Sequence, residues 1–338
     1  MFRSRSVARR SLALVPILAL ALAACSAAAT PTPAPPVKLT VGLGYIPSIQ
    51  FAPFYLAEQE GLYDAAGLDV TFQNGNDQDL IPLTGAGNID VALADGTSVV
   101  PAVGQGIPIQ YVATIYAQFP SIVFARTSSG ITGPADLKGR TLGTPGKYGS
   151  SWVMLQAMLD SVGLTPDDLT ITEYPDYGQG VAVANGAVDA ATGFANNEPV
   201  QLTLAGESIT VLKVDSIIPL PGPGMIVGKS ALDDPVRLAA IKAFVAATLK
   251  AREEIVADPS KGVDAAIAVV PELASNRAAQ DAILAATIQV WKSPLTAADG
   301  LGAIDTEGWT KTIAYLEKLG LVANPVTAEQ ATRTDLLP

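Results

Sequence analysis

The sequence contains no histidine, and this absence removes whole classes of catalytic chemistry. Ser-His-Asp triads, Cys-His pairs and histidine-ligated zinc sites are all excluded. General acid–base catalysis near neutral pH would then need a carboxyl group or a lysine with a strongly shifted pKa. Glycine patterns that bind nucleotide phosphates are also missing from any strand-to-helix turn. We therefore expect a protein that is not an enzyme, with no cofactor and no metal site.

Cysteine occurs once, at Cys25, so the chain cannot form an internal disulfide. A basic start and an apolar run over 12–23 precede it, which is typical of a secretory signal and too short for a spanning helix. The small residues Ala23 and Ala24 directly before the cysteine resemble the bacterial lipobox, in which the cysteine is lipidated. We predict a lipoprotein signal peptide over 1–24 and a lipid anchor on Cys25 that holds the exported protein at the outer face of the cell membrane. An ordinary signal peptide with a chance cysteine is the alternative.

Charged residues are scarce, at 16% of the chain, and their balance is acidic. The net charge of −11 becomes more negative once the arginines of the signal peptide are removed. Such a protein does not attract nucleic acid or an anionic bilayer through its own field. After the cysteine, alternating prolines and small residues predict an extended tether over 25–37. The remaining length exceeds one hydrophobic core, so we expect a monomer with two lobes.

Short β-rich runs alternate with longer helical runs, which is typical of a parallel, doubly wound α/β sheet. The predicted strands are 38–43, 68–72, 91–94, 110–115, 141–143, 169–173 and 190–194. Irregular joints at 124–130 and 219–224 suggest that the chain leaves one lobe, builds a second and returns. We predict lobe 1 over 38–125 plus 224–338 and lobe 2 over 126–223, with a ligand cleft between them. A single domain with a surface loop is the alternative.

Several short motifs, in this order, resemble type II periplasmic solute-binding proteins of ABC importers. They are Tyr45-Ile46-Pro47, Pro53-Phe54-Tyr55-Leu56-Ala57, Gly61-Leu62-Tyr63, Gly67-Leu68-Asp69-Val70, Gly87-Asn88-Ile89-Asp90, Asp136-Leu137-Lys138-Gly139-Arg140 and Gly186-Ala187-Val188-Asp189-Ala190. The branch resembled binds sulfonates and the pyrimidine precursor of thiamine, and Asn196-Asn197-Glu198-Pro199 is typical of the precursor binders. The resemblance covers residues 38–270. It implies a two-lobe α/β fold with a hinge and an interlobe cleft, and a permease and an ATPase as partners.

Three positions depart from the pattern of the precursor binders. Ser48, Gln50 and Phe51 stand where the resemblance leads us to expect Asn, Asn and His. An apolar ring at Phe51, beside Tyr45, could stack a wider flat heterocycle, although core packing is its alternative role. No arginine lies near these segments, which disfavours a sulfonate. The departures favour a riboflavin-binding lipoprotein over a receptor for the formylaminopyrimidine precursor. The pyrimidine-forming enzyme that resembles these binders has an active-site histidine and a cysteine cluster, which this chain lacks.

The predicted ligand site gathers side chains that follow strands or begin helices. Glu198 is expected to accept hydrogen bonds from ligand N–H groups, and Tyr177 to add a stacking face. The helix predicted at 151–161 offers unpaired N–H groups at its start. The segment 95–98 follows a strand and is expected to face the ligand, with helix capping as the alternative role of Asp95. The run 74–79 is predicted to be a polar loop, because it lacks the spacing of a calcium site. The full predicted set is Tyr45, Gln50, Phe51, Thr97, Gln118, Tyr148, Ser150, Ser151, Trp152, Tyr177, Asn197 and Glu198.

Overall fold

The computed structural model describes residues 35–215 and 217–338, which form two five-stranded sheets with helices around them. The predicted signal peptide, Cys25 and nearly all of the tether lie outside the described residues. The strands are β1 (Val37–Leu43), β2 (Leu68–Asn74), β3 (Val91–Asp95), β4 (Ile109–Thr114), β5 (Ser121–Arg126), β6 (Thr141–Thr144), β7 (Thr170–Glu173), β8 (Ala190–Phe194), β9 (Ile209–Lys213) and β10 (Pro223–Gly228).

The helices fill the connections between strands and make up most of the C-terminal third. They are α1 (Ala52–Gln59), α2 (Leu62–Ala65), α3 (Asp77–Gly85), α4 (Gly96–Gly104), α5 (Gly149–Asp160), α6 (Gln179–Ala184), α7 (Glu198–Leu204), α8 (Lys229–Asp233), α9 (Pro235–Ala257), α10 (Pro259–Val269), α11 (Arg277–Val290), α12 (Pro294–Asp299), α13 (Thr306–Lys318) and α14 (Ala328–Ala331). In the described part of the chain, no helix combines the length and apolar character needed to cross a membrane.

Each sheet contains one strand that runs against its neighbours, so the prediction of purely parallel sheets is wrong. The first sheet has the order β2-β1-β3-β10-β4, with β10 antiparallel to β3 and β4. The second has the order β7-β6-β8-β5-β9, with β5 antiparallel to β8 and β9. In each case the reversed strand begins beside the carboxyl end of a neighbour: Pro223 pairs with Asp95, and Ser121 pairs with Phe194. A chain that enters a sheet from its carboxyl edge must run in the opposite direction.

The first passage between the sheets lies earlier than predicted. Phe124, placed at the start of the predicted joint 124–130, is fully buried in the middle of β5 and pairs with Ala191 and Val211. The chain crosses at 115–120 and returns at 214–222, which overlaps the second predicted joint. The small polar residues after Arg126 suggested a linker, but they form a short turn after β5. The lobe boundaries otherwise stay a prediction, with β5 assigned to the second sheet by its pairing.

An arginine is fully buried where the chain leaves the first sheet. Arg252, on α9, donates hydrogen bonds to the carbonyl oxygens of Thr114 (3.0 Å), Ile115 (2.5 Å) and Trp291 (3.1 Å). Its guanidinium also lies 5.0 Å from the centre of the Trp291 ring, within range of a cation–π interaction. Burial lowers its pKa to about 9. Three carbonyls from two segments therefore converge on one side chain and tie the crossing segment to the C-terminal helices.

Candidate ligand-binding cleft

A cleft opens where the carboxyl ends of strands from both sheets meet. Tyr45 follows β1, Asp95 ends β3, Pro145 follows β6 and Glu198 follows β8, and all four line this space. The cleft encloses about 910 Å³, including the part open to solvent. Ligands of open α/β sheets bind in such a crevice because strand ends leave loops and helix N-termini free to contact them. The sheet topology thus gathers side chains that are far apart in sequence.

Nine of the twelve predicted residues line this cleft. They come from both sheets, and their role as ligand contacts stays a prediction. The nine are Tyr45, Gln50, Phe51, Tyr148, Ser150, Ser151, Tyr177, Asn197 and Glu198.

The other three predicted residues lie elsewhere. Thr97 is fully buried on the inner face of α4. Gln118 is exposed and donates hydrogen bonds to the carbonyls of Gln289 (3.1 Å) and Lys292 (2.8 Å). Trp152 packs against the hydrophobic core, with the Lys147 ammonium 5.9 Å from its ring centre. Each follows a strand or begins a helix, but position along the chain does not determine which way a side chain points.

Several residues of the cleft were missed by the sequence analysis. Asn76 and Asp77 come from the run 74–79, which was predicted to be only a polar loop. Asn76 also caps α3, because its side chain accepts a hydrogen bond from the Asp79 N–H. This run follows the end of β2, so the strand-end rule applied elsewhere would have selected it. The remaining missed side chains with polar or aromatic groups are Tyr116, Gln179 and Phe194. Asp95, whose segment was expected to face the ligand, also lines the cleft, and its side chain makes no capping hydrogen bond to α4.

Two carboxyl groups lie together on one wall of the cleft. The Asp95 N–H donates to Asp77 Oδ2 (3.1 Å), and the Ser150 N–H donates to Asp95 Oδ2 (3.3 Å). Burial, together with the negative charge of Asp95, raises the pKa of Asp77 to about 8, and burial also raises the pKa of Asp95. Each of these two carboxyl groups therefore binds a proton more readily than a solvent-exposed aspartate does. Asp95 ends β3 of the first sheet, whereas Ser150 lies at the start of α5, which follows β6 of the second sheet. The hydrogen bond between them therefore links the two sheets.

Glu198 provides a third carboxyl group at the first position of α7. Its Oε2 accepts a hydrogen bond from the Phe194 N–H (2.9 Å), and its Oε1 accepts one from Gln179 Nε2 (3.1 Å). Burial raises its pKa to about 7 in spite of these bonds. A side chain at Gly193 would place its Cβ only 2.7 Å from Oε2, so the glycine leaves room for this carboxyl. No lysine or arginine lines the cleft in the described part of the chain.

Aromatic rings form much of the remaining wall. The rings of Tyr45 and Tyr177 meet edge to face, with centres 4.6 Å apart. Tyr177 has a φ of 59°, a left-handed conformation adopted by no other non-glycine residue in 35–215 and 217–338. Such strain persists only where the surroundings impose it, and it is common at ligand sites. Phe51 is 6% exposed, lines the cleft and packs in the core beside Tyr55, so it occupies both environments that its sequence position suggested.

Three curated proteins are similar to this chain. The riboflavin-binding protein RibY of Chloroflexus aurantiacus is 33% identical over 308 residues, which are 89% of this chain and 86% of RibY. A formylaminopyrimidine-binding protein of Halalkalibacterium halodurans is 25% identical over 295 residues, or 86% and 88% of the two chains. The 4-amino-5-hydroxymethyl-2-methylpyrimidine phosphate synthase THI13 of Saccharomyces cerevisiae is 28% identical over 170 residues, about half of each chain.

The fold itself matches solved binding proteins. The periplasmic aliphatic sulphonate binding protein SsuA of Escherichia coli superposes with a TM-score of 0.69 at 17% identity, covering 88% of this chain and 97% of SsuA. This match confirms the predicted two-lobe α/β fold of type II periplasmic binding proteins. The family model described as NMT1/THI5 like matches residues 48–262. The chain therefore belongs to the NMT1/THI5-like family.

Proposed function

We propose that this protein is the solute-binding lipoprotein of an ABC importer and that it captures a neutral heteroaromatic vitamin or precursor, with riboflavin favoured. The observation that carries the proposal is a cleft with three carboxyl groups, several aromatic rings and, among the described residues, no lysine or arginine in its lining. The similarity to RibY over most of both chains supports it. In this proposal a permease and its ATPase receive the ligand from the exported monomer, which performs no chemistry.

The chemistry of the cleft suits a flat ligand that donates hydrogen bonds. Carboxylates accept from ring N–H groups and hydroxyls, and stacked rings contribute about 0.5–1.5 kcal/mol beyond the area they bury. Riboflavin offers a wide ring system, a ring N–H group and a chain of hydroxyls. An anion such as a sulfonate would enter a site of the same charge sign, and no lysine or arginine among the described lining residues offsets that repulsion.

Two other functions stay open to test. The match to a formylaminopyrimidine-binding protein favours a smaller single-ring ligand of the same chemical class. The match to the yeast synthase favours an enzymatic role, but it covers about half of the chain. The sequence also lacks the active-site histidine that the pyrimidine-forming enzyme has. Fluorescence titration with riboflavin and calorimetry with formylaminopyrimidine separate the two ligands. Tighter binding of the pyrimidine would overturn the riboflavin assignment.

Shortening Phe51 tests the preference for a wide ring. We expect Phe51→Ala to weaken riboflavin binding about 2–10-fold, because loss of a stacked face removes about 0.5–1.5 kcal/mol. The effect on a single-ring pyrimidine should be smaller, since it has less face to lose. Calorimetric titration of both ligands measures the difference. Phe54→Leu is the control, because Phe54 is 1% exposed in the core and does not line the cleft. Equal losses for both ligands at Phe51 would make it a core residue only.

The lipid anchor has its own test. In cells, Cys25→Ala should move the protein from the membrane fraction to the soluble fraction, because the thiol that carries the lipid is removed. Ligand affinity should not change, since the cleft is built from residues 44–223. Fractionation followed by titration of the released protein checks both statements. A variant that still sediments with membranes would contradict the anchor.

A further inference from the structure

We propose that Asn196 and Thr287, which do not line the cleft, hold the Gln50 amide so that its nitrogen faces the ligand as a hydrogen-bond donor. Gln50 itself lines the cleft and is 8% exposed, whereas Asn196 is 1% exposed and Thr287 is fully buried. The two are thus positioning residues that act through Gln50. The choice of riboflavin as probe rests on the proposed function, but the hydrogen-bond arrangement does not.

Thr287 lies on α11 and contacts the Asn196 side chain. Its hydroxyl donates to the carbonyl oxygen of Ile283 (2.7 Å), one helical turn earlier. A hydroxyl has a single proton, so towards any other partner this oxygen can only accept. Asn196 approaches the same oxygen at 2.8 Å. The Asn196 atom at that distance is its nitrogen, the orientation that a hydroxyl already donating to Ile283 favours, and the Asn196 oxygen is buried without a partner among the described residues.

Gln50 lies in the short turn before α1, where its side-chain oxygen contacts Asn196 and Tyr116. The second N–H of Asn196 points to Gln50 Oε1 at 3.4 Å, and the Tyr116 hydroxyl donates to the same oxygen at 3.2 Å. If the Gln50 amide turned over, its nitrogen would face the nitrogen of Asn196, two donors would meet there, and only the Tyr116 hydroxyl would be left to accept from Gln50. The oxygen of Gln50 is therefore held inside, and the nitrogen is directed to the cleft side. No acceptor for Gln50 Nε2 is found in the described part of the chain.

This arrangement gives the cleft a donor with a fixed direction amid carboxyl groups that mainly accept. A heterocycle that presents a carbonyl oxygen or ring nitrogen to Gln50, and N–H or O–H groups to the carboxylates, satisfies the donor and the acceptors together. A ligand without that acceptor leaves a buried N–H unpaired, and sites built on buried hydrogen bonds discriminate strongly for this reason. The chain of bonds also joins the sheets, because Asn196 follows β8 whereas α11 contacts the turn that carries Gln50.

Two substitutions at Thr287 separate hydrogen bonding from packing. Thr287→Val keeps the shape and removes the hydroxyl, whereas Thr287→Ser keeps the hydroxyl and removes the methyl group. We expect Thr287→Val to weaken riboflavin binding roughly 2–10-fold, and Thr287→Ser to stay close to the wild-type value. If Thr287→Ser weakened riboflavin binding and Thr287→Val did not, Thr287 would act through packing, and the proposal would be overturned.

A readout without ligand completes the test. Side-chain amide signals of Gln50 and Asn196, followed by ¹⁵N NMR and assigned from Gln50→Glu and Asn196→Asp, should shift in Thr287→Val and remain near their positions in Thr287→Ser. Unchanged signals in Thr287→Val would overturn the proposal. If the wild-type protein does not bind riboflavin, the ligand assignment fails, while these signals still decide whether Thr287 acts on Gln50 through Asn196.

Discussion

Replacing Glu198 by glutamine is expected to weaken riboflavin binding roughly tenfold to hundredfold at pH 8. A charge-assisted hydrogen bond to a buried carboxylate contributes about 1.5–3 kcal/mol, and the substitution removes the charge without changing the shape. The introduced amide can be accommodated, because Gln179 Oε1 is buried without a hydrogen-bond partner among the described residues, and the Gln179 amide can turn so that this oxygen accepts from it. Titration with riboflavin at pH 8 measures the loss. An unchanged affinity would remove Glu198 from the ligand contacts.

The same substitution should make the ligand-free protein more stable at pH 8. The pKa of Glu198 is raised from 4.5 to about 7 by burial, so the folded state binds this proton more tightly than the unfolded state. The contribution of Glu198 to stability therefore falls as pH rises from about 4.5 to about 7 and then stays low. We expect Glu198→Gln to gain roughly 1–3 kcal/mol at pH 8 and nothing below pH 4. Urea unfolding at both pH values checks the sign.

The pH dependence of binding follows from the same carboxyl group. If the charged form accepts the ligand N–H, affinity should rise as pH increases through about 7 and level off above it. This dependence should flatten in Glu198→Gln. Asp77 and Asp95 also titrate in the cleft with raised pKa values, so Asp77→Asn is the matched control for their contribution. A wild-type affinity that falls as pH rises from 6 to 8 would contradict a charged acceptor.

Replacing Arg252 by methionine is expected to lower the free energy of unfolding by about 3–5 kcal/mol. Burying a guanidinium without an acidic partner is costly, but the substitution does not simply recover that cost. It leaves the carbonyls of Thr114, Ile115 and Trp291 buried without a donor, and we expect this penalty to dominate.

Urea unfolding of Arg252→Met measures the change, and Lys250→Met, on the exposed side of the same helix, is the control. Arg252→Lys should lie in between, because one ammonium group cannot reproduce the fork that reaches three carbonyls. An unchanged midpoint in Arg252→Met would show that the carbonyls find other donors and that the crossing segment does not depend on this side chain.

The local sequence pattern was sufficient to predict two of the strands that end at the cleft. The strands at 190–194 and 91–94 were predicted within a residue of β8 and β3, because a short apolar run bounded by turn residues has few other conformations. The strand-end rule then selected Glu198, and the family resemblance selected Tyr45; both line the cleft. The same rule failed for Thr97 and Gln118, since it selects a position on the chain and not the direction of a side chain.

The histidine-free composition, the acidic balance, the α/β alternation and the order of the family motifs were determined by the sequence alone, because each depends on residue identity or short-range spacing. The tertiary structure decided which strands are reversed, where the chain crosses and which carboxyl groups meet. Asp77 and Asp95 are 18 residues apart, and Asn196 and Thr287 are 91 apart, yet each pair is joined by a hydrogen bond. Their pKa values and amide orientations depend on burial and on partners across the sheets, which no local pattern contains.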